Sequence, residues 1–449
     1  MNFFIKNYGC QMNIYDSARM IDILSAAGHK ECKHLDEANI FIFNMCSIRE
    51  KADEKLFSDL GRAKSIKFKI QDAGESCIIV VCGCVAQAKK EAIFNRAPYV
   101  DAVVGTQEIH NIANIINEVI EKKKNNEYSN VLMGVLNTKS KFEALKTTNI
   151  TERSYSEYLT IQEGCDNFCT YCVVPYTRGR EFSRDAKDII DEAKKMVSIG
   201  VKEITLLGQN VNSYHGEGTD GRIWKLSRLL YAMAEIDGLA RLRYVTSNPK
   251  DVSTDIAEAH RDIDILMPFL HLPVQSGSDK ILKKMNRKYT TDEYLRCIDM
   301  LRAYKPDMAF SSDFIVGFPG ESDQDFEDTL KLAEKVRFAQ AYSFKYSPRS
   351  DTAAAKMENQ IPEKIKSERL KILQDMLNNH QNEFNENTVG KTVDVLFTKR
   401  GKFKNQLVGR TEYSQAISVC DKSINIGDIA FVEVTGIKSH SLVGSVKKK

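Results

Sequence analysis

The chain has 449 residues, 42% hydrophobic and 28% charged, the usage of folded globular proteins, which excludes a disordered chain. That length exceeds one ordinary core, so two or three domains are expected. The formal net charge of +3 says nothing about nucleic acid, and any basic surface has to be sought locally. No run reaches the roughly eighteen apolar residues that cross a bilayer, and the start MNFFIKNYGC turns polar too early for a secretory signal. The expected location is the cytoplasm, with no membrane partner.

The first residues alternate short apolar runs with helical patterns, as an open parallel α/β sheet requires. Residues 3–6, 40–43 and 78–81 read as buried strands, and 16–26 and 50–63 as helices. Cys10, Cys46 and Cys84 each lie just past the carboxyl end of one of these strands, the edge where open parallel sheets bind ligands. Their spacings of 36 and 38 residues match one strand–helix repeat each, so three thiols distant in sequence can meet at one point. This α/β domain is expected over 1–118. Residues 119–150, with EKKKNNEYSN and TKSKFEALKTTN, are polar enough to read as a linker.

A second strand–helix series follows over 151–382, with strands at 158–162, 203–207, 242–245, 269–272, 313–316 and 342–344. Thr290 with Glu293 has the form of a capping box, and Ser322 with Asp325 resembles one. Six such units predict an incomplete parallel (βα)6 barrel with its site on the loops at the carboxyl ends of the strands. After a charged helix at 362–387 the pattern turns to alternation, with strands at 392–398, 406–409, 416–419 and 429–434. A small antiparallel β-barrel is expected over 383–449.

Eleven cysteines, an odd number, fit metal ligation or catalysis better than disulfides in a reducing cytosol. In QEGCDNFCTYCVVPYTRGR, Cys165, Cys169 and Cys172 stand as C-x3-C-x2-C on the loop after the first barrel strand. Three thiolates there can hold three irons of a 4Fe-4S cube, leaving the fourth iron open to chelate S-adenosylmethionine. Passing one electron to the sulfonium then yields a 5′-deoxyadenosyl radical. A structural zinc site would want a fourth ligand, and no further Cys or His lies close by.

With CDNFCTYC stand NYGCQMN, NMCSIREKA, VPYTRGRE, LLGQNVNSY, LHLPVQSGSDKIL and SSDFIVGFPGE, and over essentially the whole chain the sequence resembles the radical S-adenosylmethionine methylthiotransferases. Within them it looks most like the enzymes that act on tRNA carrying N6-dimethylallyl (isopentenyl) adenosine. The resemblance implies sulfur insertion at carbon 2 of the adenine at position 37, 3′ of the anticodon, with the methyl group from a second S-adenosylmethionine. It implies a second 4Fe-4S cluster on Cys10, Cys46 and Cys84, two clusters in all. Relatives more often have a small residue where VVCGC has Cys82; Cys84 is favoured as the ligand because it holds the position after the strand. The resemblance further implies cofactor contacts: Tyr171 near the adenine, Gln209 after a strand, and Gly317 to Glu321, where glycines let the backbone approach a flat ligand. Cys32, Cys77, Cys297 and Cys420 read as structural.

From Glu383 to Lys449 there are eleven Lys/Arg against seven Asp/Glu, net +4, more than the whole chain's +3. LFTKRGKFKNQ interleaves aromatic and basic residues and the chain ends KKK, which suits phosphates and RNA shape. The segment resembles the TRAM domain, with tRNA as the implied partner. An unidentified electron donor and sulfur source are also implied, and a monomer is expected. Two other targets, a ribosomal-protein aspartate or threonylcarbamoyl-adenosine in tRNA, are disfavoured by QNVNSY and CSIREKA. A two-cluster electron-transfer protein would need neither six barrel strands nor a basic terminal barrel.

Overall fold

The structure is a computed structural model. It describes all residues except 47–49, 126, 128–130, 135–136, 147, 152, 350, 440 and 448–449, and only the backbone of 50–53. Residues 47–49 of NMCSIREKA, part of the expected linker and the last two lysines therefore lie outside the described residues. The chain forms two compact units: residues 1–152 with 158–166 and 173–184, and residues 153–157 with 167–172 and 185–449.

In the first unit, strands β1 (Asn2–Tyr8), β2 (Lys30–Glu31), β3 (Ile40–Met45), β4 (Ile78–Gly83), β5 (Ala102–Val104) and β6 (Val131–Met133) make one parallel sheet in the order β2-β1-β3-β4-β5-β6. β3 and β4 are buried along their whole length, as a sheet covered on both faces demands. One face packs Phe41, Phe43, Ile79 and Val81 against Leu56 and Leu60. The other packs Phe3, Ile40, Val80 and Cys82 against Met20, Leu24 and Ile116. The stretch expected as a linker behaves differently at residue level. It supplies β6 at the sheet edge and a helix, Thr138–Lys146, that buries Phe142, Leu145 and the whole of Lys141. Its polar composition hid this because Lys141 is buried as an ion-pair partner.

The strands of the second series are β7 (Ser156–Thr160), which precedes a two-residue antiparallel pair, β8 (Gln162–Glu163) and β9 (Phe182–Ser183), then β10 (Glu203–Leu207), β11 (Arg241–Tyr244), β12 (Phe269–His271), β13 (Ala309–Val316) and β14 (Gln340–Lys345). They form two three-stranded sheets, β11-β10-β7 and β12-β13-β14, with β10 parallel to β11 and β13 parallel to β12 and β14, so the six expected barrel strands all form. Both anticipated capping boxes are made. Thr290 caps the helix Thr291–Tyr304 with Glu293, and Ser322 caps Asp323–Val336 with Asp325.

The terminal segment closes as a five-stranded barrel, β15 (Thr392–Arg400), β16 (Gln406–Thr411), β17 (Ala416–Cys420), β18 (Ile429–Lys438) and β19 (Ser441–Val446), in the order β15-β16-β17-β19-β18. Alternation alone missed β19, and β17 pairs with β19 in parallel, so the barrel is not purely antiparallel. It shares a unit with the central strands. Arg241 of β11, fully buried, donates to the Arg410 carbonyl at 2.9 Å and pairs with Asp394 at 2.8 Å. Arg243 donates to the carbonyls of Glu412 and Thr411 at 2.8 and 3.0 Å.

Candidate functional site

β1, β3 and β4 lie side by side with Tyr8 opposite Met45 and Met45 opposite Gly83. The chain therefore leaves three neighbouring strands at one level, and Cys10, Cys46 and Cys84 follow at once. Cys10 precedes the helix Gln11–Ala26, Cys84 opens the helix Cys84–Lys89, and the Cys46 N–H donates to the Tyr8 carbonyl at 3.1 Å. The Cys46 thiol sits between the other two, within hydrogen-bond reach of both. That hydrogen bond is the main reason that Cys10 is pushed down to about 6 and Cys84 to about 7, while the same bonds push Cys46 up. Space for the group is kept by glycine. A Cβ on Gly9 would stand 2.9 Å from that of Cys46, and one on Gly83 (φ +93°) would lie 2.4 Å from the Met45 carbonyl oxygen.

Cys82 is one residue from the strand end and faces the other way, into the apolar side with Phe3, Leu24 and Val104. Burial pushes its thiol up. The structure thus brings Cys10, Cys46 and Cys84 together and leaves Cys82 out. Among the described residues no set of three His, Cys, Asp or Glu side chains is arranged to hold a single metal ion. Three thiols that meet with no carboxylate or imidazole among them suit an iron–sulfur cluster, whose corners each need one thiolate.

Beside these thiols lies a charge cluster that sequence reasoning did not find. Arg178 pairs with Asp16 at 3.1 Å and Glu163 at 2.6 Å, and Lys141 with Asp16 at 2.8 Å and Glu163 at 2.9 Å. All four are buried. Burial opposes the charge on Arg178, but Cys84, Glu163, Asp16 and Cys10 overcome it, and its guanidinium also hydrogen-bonds Cys84. Two cations balance two carboxylates, and Arg178 also faces Cys84, whose thiolate its charge and hydrogen bond favour. The only signal was the VPYTRGRE motif, which did not say where Arg178 points.

The second cysteine loop is shaped by its backbone. Gly164 has φ +82°, and a Cβ there would lie 1.9 Å from the Arg180 carbonyl oxygen, so only glycine fits before Cys165. The Cys165 N–H donates to the Gly179 carbonyl at 3.2 Å. Cys169 and Cys172 share one turn, the Cys172 N–H donating to the Cys169 carbonyl at 2.9 Å. All three cysteines are partly exposed.

The expected cofactor contacts fall in different settings. Tyr171 is partly buried against a cluster that includes Met285, Phe318 and Tyr346. Gln209 follows β10, and Gly317 follows β13 with φ +71°. Glu321 is committed elsewhere: its carboxylate accepts from the Gly317 N–H at 2.9 Å and pairs with Arg369 at 2.7 Å, and burial pushes its pKa up. It shapes the loop that Gly317 begins. Of the cysteines read as structural, Cys77 is buried in the core, Cys32 donates to the Phe3 carbonyl, Cys297 to the Pro249 carbonyl, and Cys420 is exposed.

On the terminal barrel, Lys399, Arg400, Lys402 and Lys404 surround Phe403 on the exposed β15–β16 hairpin, and Phe403 is 68% exposed. Among the described residues no helix is long and apolar enough to cross a membrane.

Comparison with known proteins matches residues 159–333 to the radical SAM superfamily, 2–105 to the Uncharacterized protein family UPF0004 and 386–447 to the TRAM domain. A tRNA-2-methylthio-N(6)-dimethylallyladenosine synthase from Agrobacterium fabrum is 50% identical over 448 residues, covering 99% of this chain and 97% of that one. One of the same name from Bartonella bacilliformis is 49% identical over 444 residues, covering 98% and 95%. Among solved structures, the radical S-adenosylmethionine methyltransferase TsrM from Kitasatospora setae, with cobalamin and a 4Fe-4S cluster bound, has a TM-score of 0.57 at 11% identity. It covers 79% of this chain and 74% of its own, a likeness of fold.

Proposed function

The chain belongs to the tRNA-2-methylthio-N(6)-dimethylallyladenosine synthase family, and from that premise we propose how its residues divide the work of adding a methylthio group to carbon 2 of N6-dimethylallyladenosine at position 37 of tRNA. The reading rests on one observation above the rest: two sets of three cysteines, one just past the carboxyl ends of three neighbouring parallel strands and the other on the single loop that follows β8. Cys165, Cys169 and Cys172 would hold one 4Fe-4S cluster and Cys10, Cys46 and Cys84 a second. When bound, the first cluster with S-adenosylmethionine supplies the radical that removes hydrogen from carbon 2, and the second supplies the site of sulfur insertion.

The protein's own residues do the rest. Gly9 leaves room beside Cys46, Gly83 lets the chain pass the Met45 carbonyl on its way to Cys84, and Arg178 offsets the charge of Cys84. Tyr171, Gln209 and Gly317 would line the S-adenosylmethionine site, with Glu321 ordering the loop. The basic hairpin around Phe403 would take phosphates, and the target base has to leave its stack to reach the barrel mouth. Mass spectrometry of nucleosides from tRNA incubated anaerobically with the reconstituted enzyme, S-adenosylmethionine and reductant tests this. Product is expected only from prenylated tRNA. Equal turnover on unprenylated tRNA, or on a ribosomal-protein peptide, would overturn the substrate assignment.

A further inference from the structure

A loop of three thiols holds a cluster in one geometry only if something holds the loop. In the central unit the segment after the helix Asp279–Lys284 does so. Thr170 donates its hydroxyl to the Lys284 carbonyl at 2.9 Å and its N–H to the Met285 carbonyl at 3.1 Å. The Asn286 amide donates to the carbonyls of Asn167 and Phe168 at 3.1 and 3.0 Å. Asn286 (φ +59°) and Phe168 (φ +46°) both occupy the left-handed region, where a side chain stays only when its surroundings fix it.

Arg287 comes next. Its Nη1 reaches the Cys169 sulfur at 3.5 Å, Nε donates to the Tyr289 hydroxyl at 2.9 Å, and Nη2 lies 3.3 Å from the Pro273 carbonyl and 3.4 Å from Asn248 Oδ1. Asn248 is itself locked to Asn212 of the LLGQNVNSY loop by two 2.8 Å hydrogen bonds. A planar guanidinium can serve these four partners at once; an ammonium cannot.

We propose that Arg287 is a positioning residue of the radical site, which fixes the Cys169 sulfur and, by donating to it, sets the reduction potential of the cluster held there. The proposal rests on the reading that Cys165, Cys169 and Cys172 are ligands. A hydrogen bond and a positive charge at a ligand sulfur favour the more negative, reduced cluster, so they raise its potential. If Arg287 only tied loops together, its replacement would alter stability and leave the potential where it was.

The test uses the full-length, anaerobically reconstituted enzyme with Arg287→Met and Arg287→Lys. Iron content is measured first. The midpoint potential of the signal that S-adenosylmethionine perturbs is then followed by electron paramagnetic resonance, with 5′-deoxyadenosine formation alongside. Arg287→Met is expected to load iron, shift that midpoint to lower potential and slow 5′-deoxyadenosine formation, with KM for tRNA unchanged. Arg287→Lys, which keeps the charge and loses the fork, is expected to lie between it and the parent. A parental midpoint and rate in Arg287→Met overturns the proposal; should that variant fail to load iron, a parental midpoint and rate in Arg287→Lys does so. The iron content of Cys169→Ala reports on the ligand reading separately, so the two failures are distinguishable.

Discussion

At the scale of single residues, a two-position difference decides the chemistry of the N-terminal site. Cys82 and Cys84 have the same side chain and both are buried, yet one lies among aliphatic side chains and the other beside Cys46 and Arg178. A lone thiol buried among apolar side chains has neither a partner ligand nor a counter-charge, whereas one beside further thiols and a guanidinium can ligate iron. Cys84→Ala is therefore expected to lose the iron of the N-terminal site and all methylthiolated product, while 5′-deoxyadenosine formation persists. Cys82→Ala is expected to keep both clusters at a stability cost of about 1 kcal/mol, since a buried sulfur is replaced by a small gap. Iron and nucleoside analysis of the two variants checks this, and the reverse pattern would show that the strand turns the other way.

At the scale of elements, β11 and the helix Thr254–Asp262 are joined by a polar contact that makes the central unit sensitive to acid. His260 on that helix is buried, with the Tyr244 hydroxyl 2.8 Å from its Nε2, and burial, reinforced by Lys305, pushes its pKa down from 6.5 to about 3. In the unfolded chain the imidazole takes up a proton near its ordinary value; in the folded unit it does not until far lower pH. The stability it contributes is therefore complete above pH 6.5 and is lost as pH falls toward 3, by about 1.4 kcal/mol per pH unit inside that window. Chemical denaturation at pH 7 and pH 5.5 is expected to show this loss in the parent and a smaller one in His260→Gln. Equal losses would remove the imidazole from the explanation.

At the scale of the whole chain, the terminal barrel is joined to β11 by Arg241 and Arg243, whose partners lie on the barrel. Deleting the barrel after Asn382 would remove those partners and uncover the surface they pack against, so it would disturb the central strands as well as any RNA contact. Its part in RNA binding is better read from surface substitutions. Replacing Lys399, Lys402 and Lys404 by Ala is expected to weaken tRNA binding and to flatten its salt dependence by about 0.7–0.9 in logarithmic slope for each phosphate contact removed. Iron content and 5′-deoxyadenosine formation without tRNA are expected to stay at parental values. An unchanged salt slope would show that this hairpin does not meet the phosphates.

Patterning alone marked much of the architecture: β1, β3, β4, the six barrel strands and both capping boxes follow from apolar periodicity and local hydrogen-bonding residues, which act over a few positions. The cysteine spacings were legible for the same reason, because each thiol follows a strand whose end the periodicity marks. Three things were decided only by the folded chain. Lys141, in a stretch whose composition reads as a linker, is buried because Asp16 and Glu163, 125 and 22 residues away along the chain, supply its counter-charges. β19 closes the terminal barrel by pairing in parallel with β17, a partner that no alternation pattern specifies. The surroundings of Arg178 and Arg287 came only from the fold, since the sequence does not record which carboxylates and sulfurs will surround an arginine. Periodicity records which face of an element is apolar; it does not record where a charge on that element finds its partner, and that depends on contacts between segments far apart in the chain.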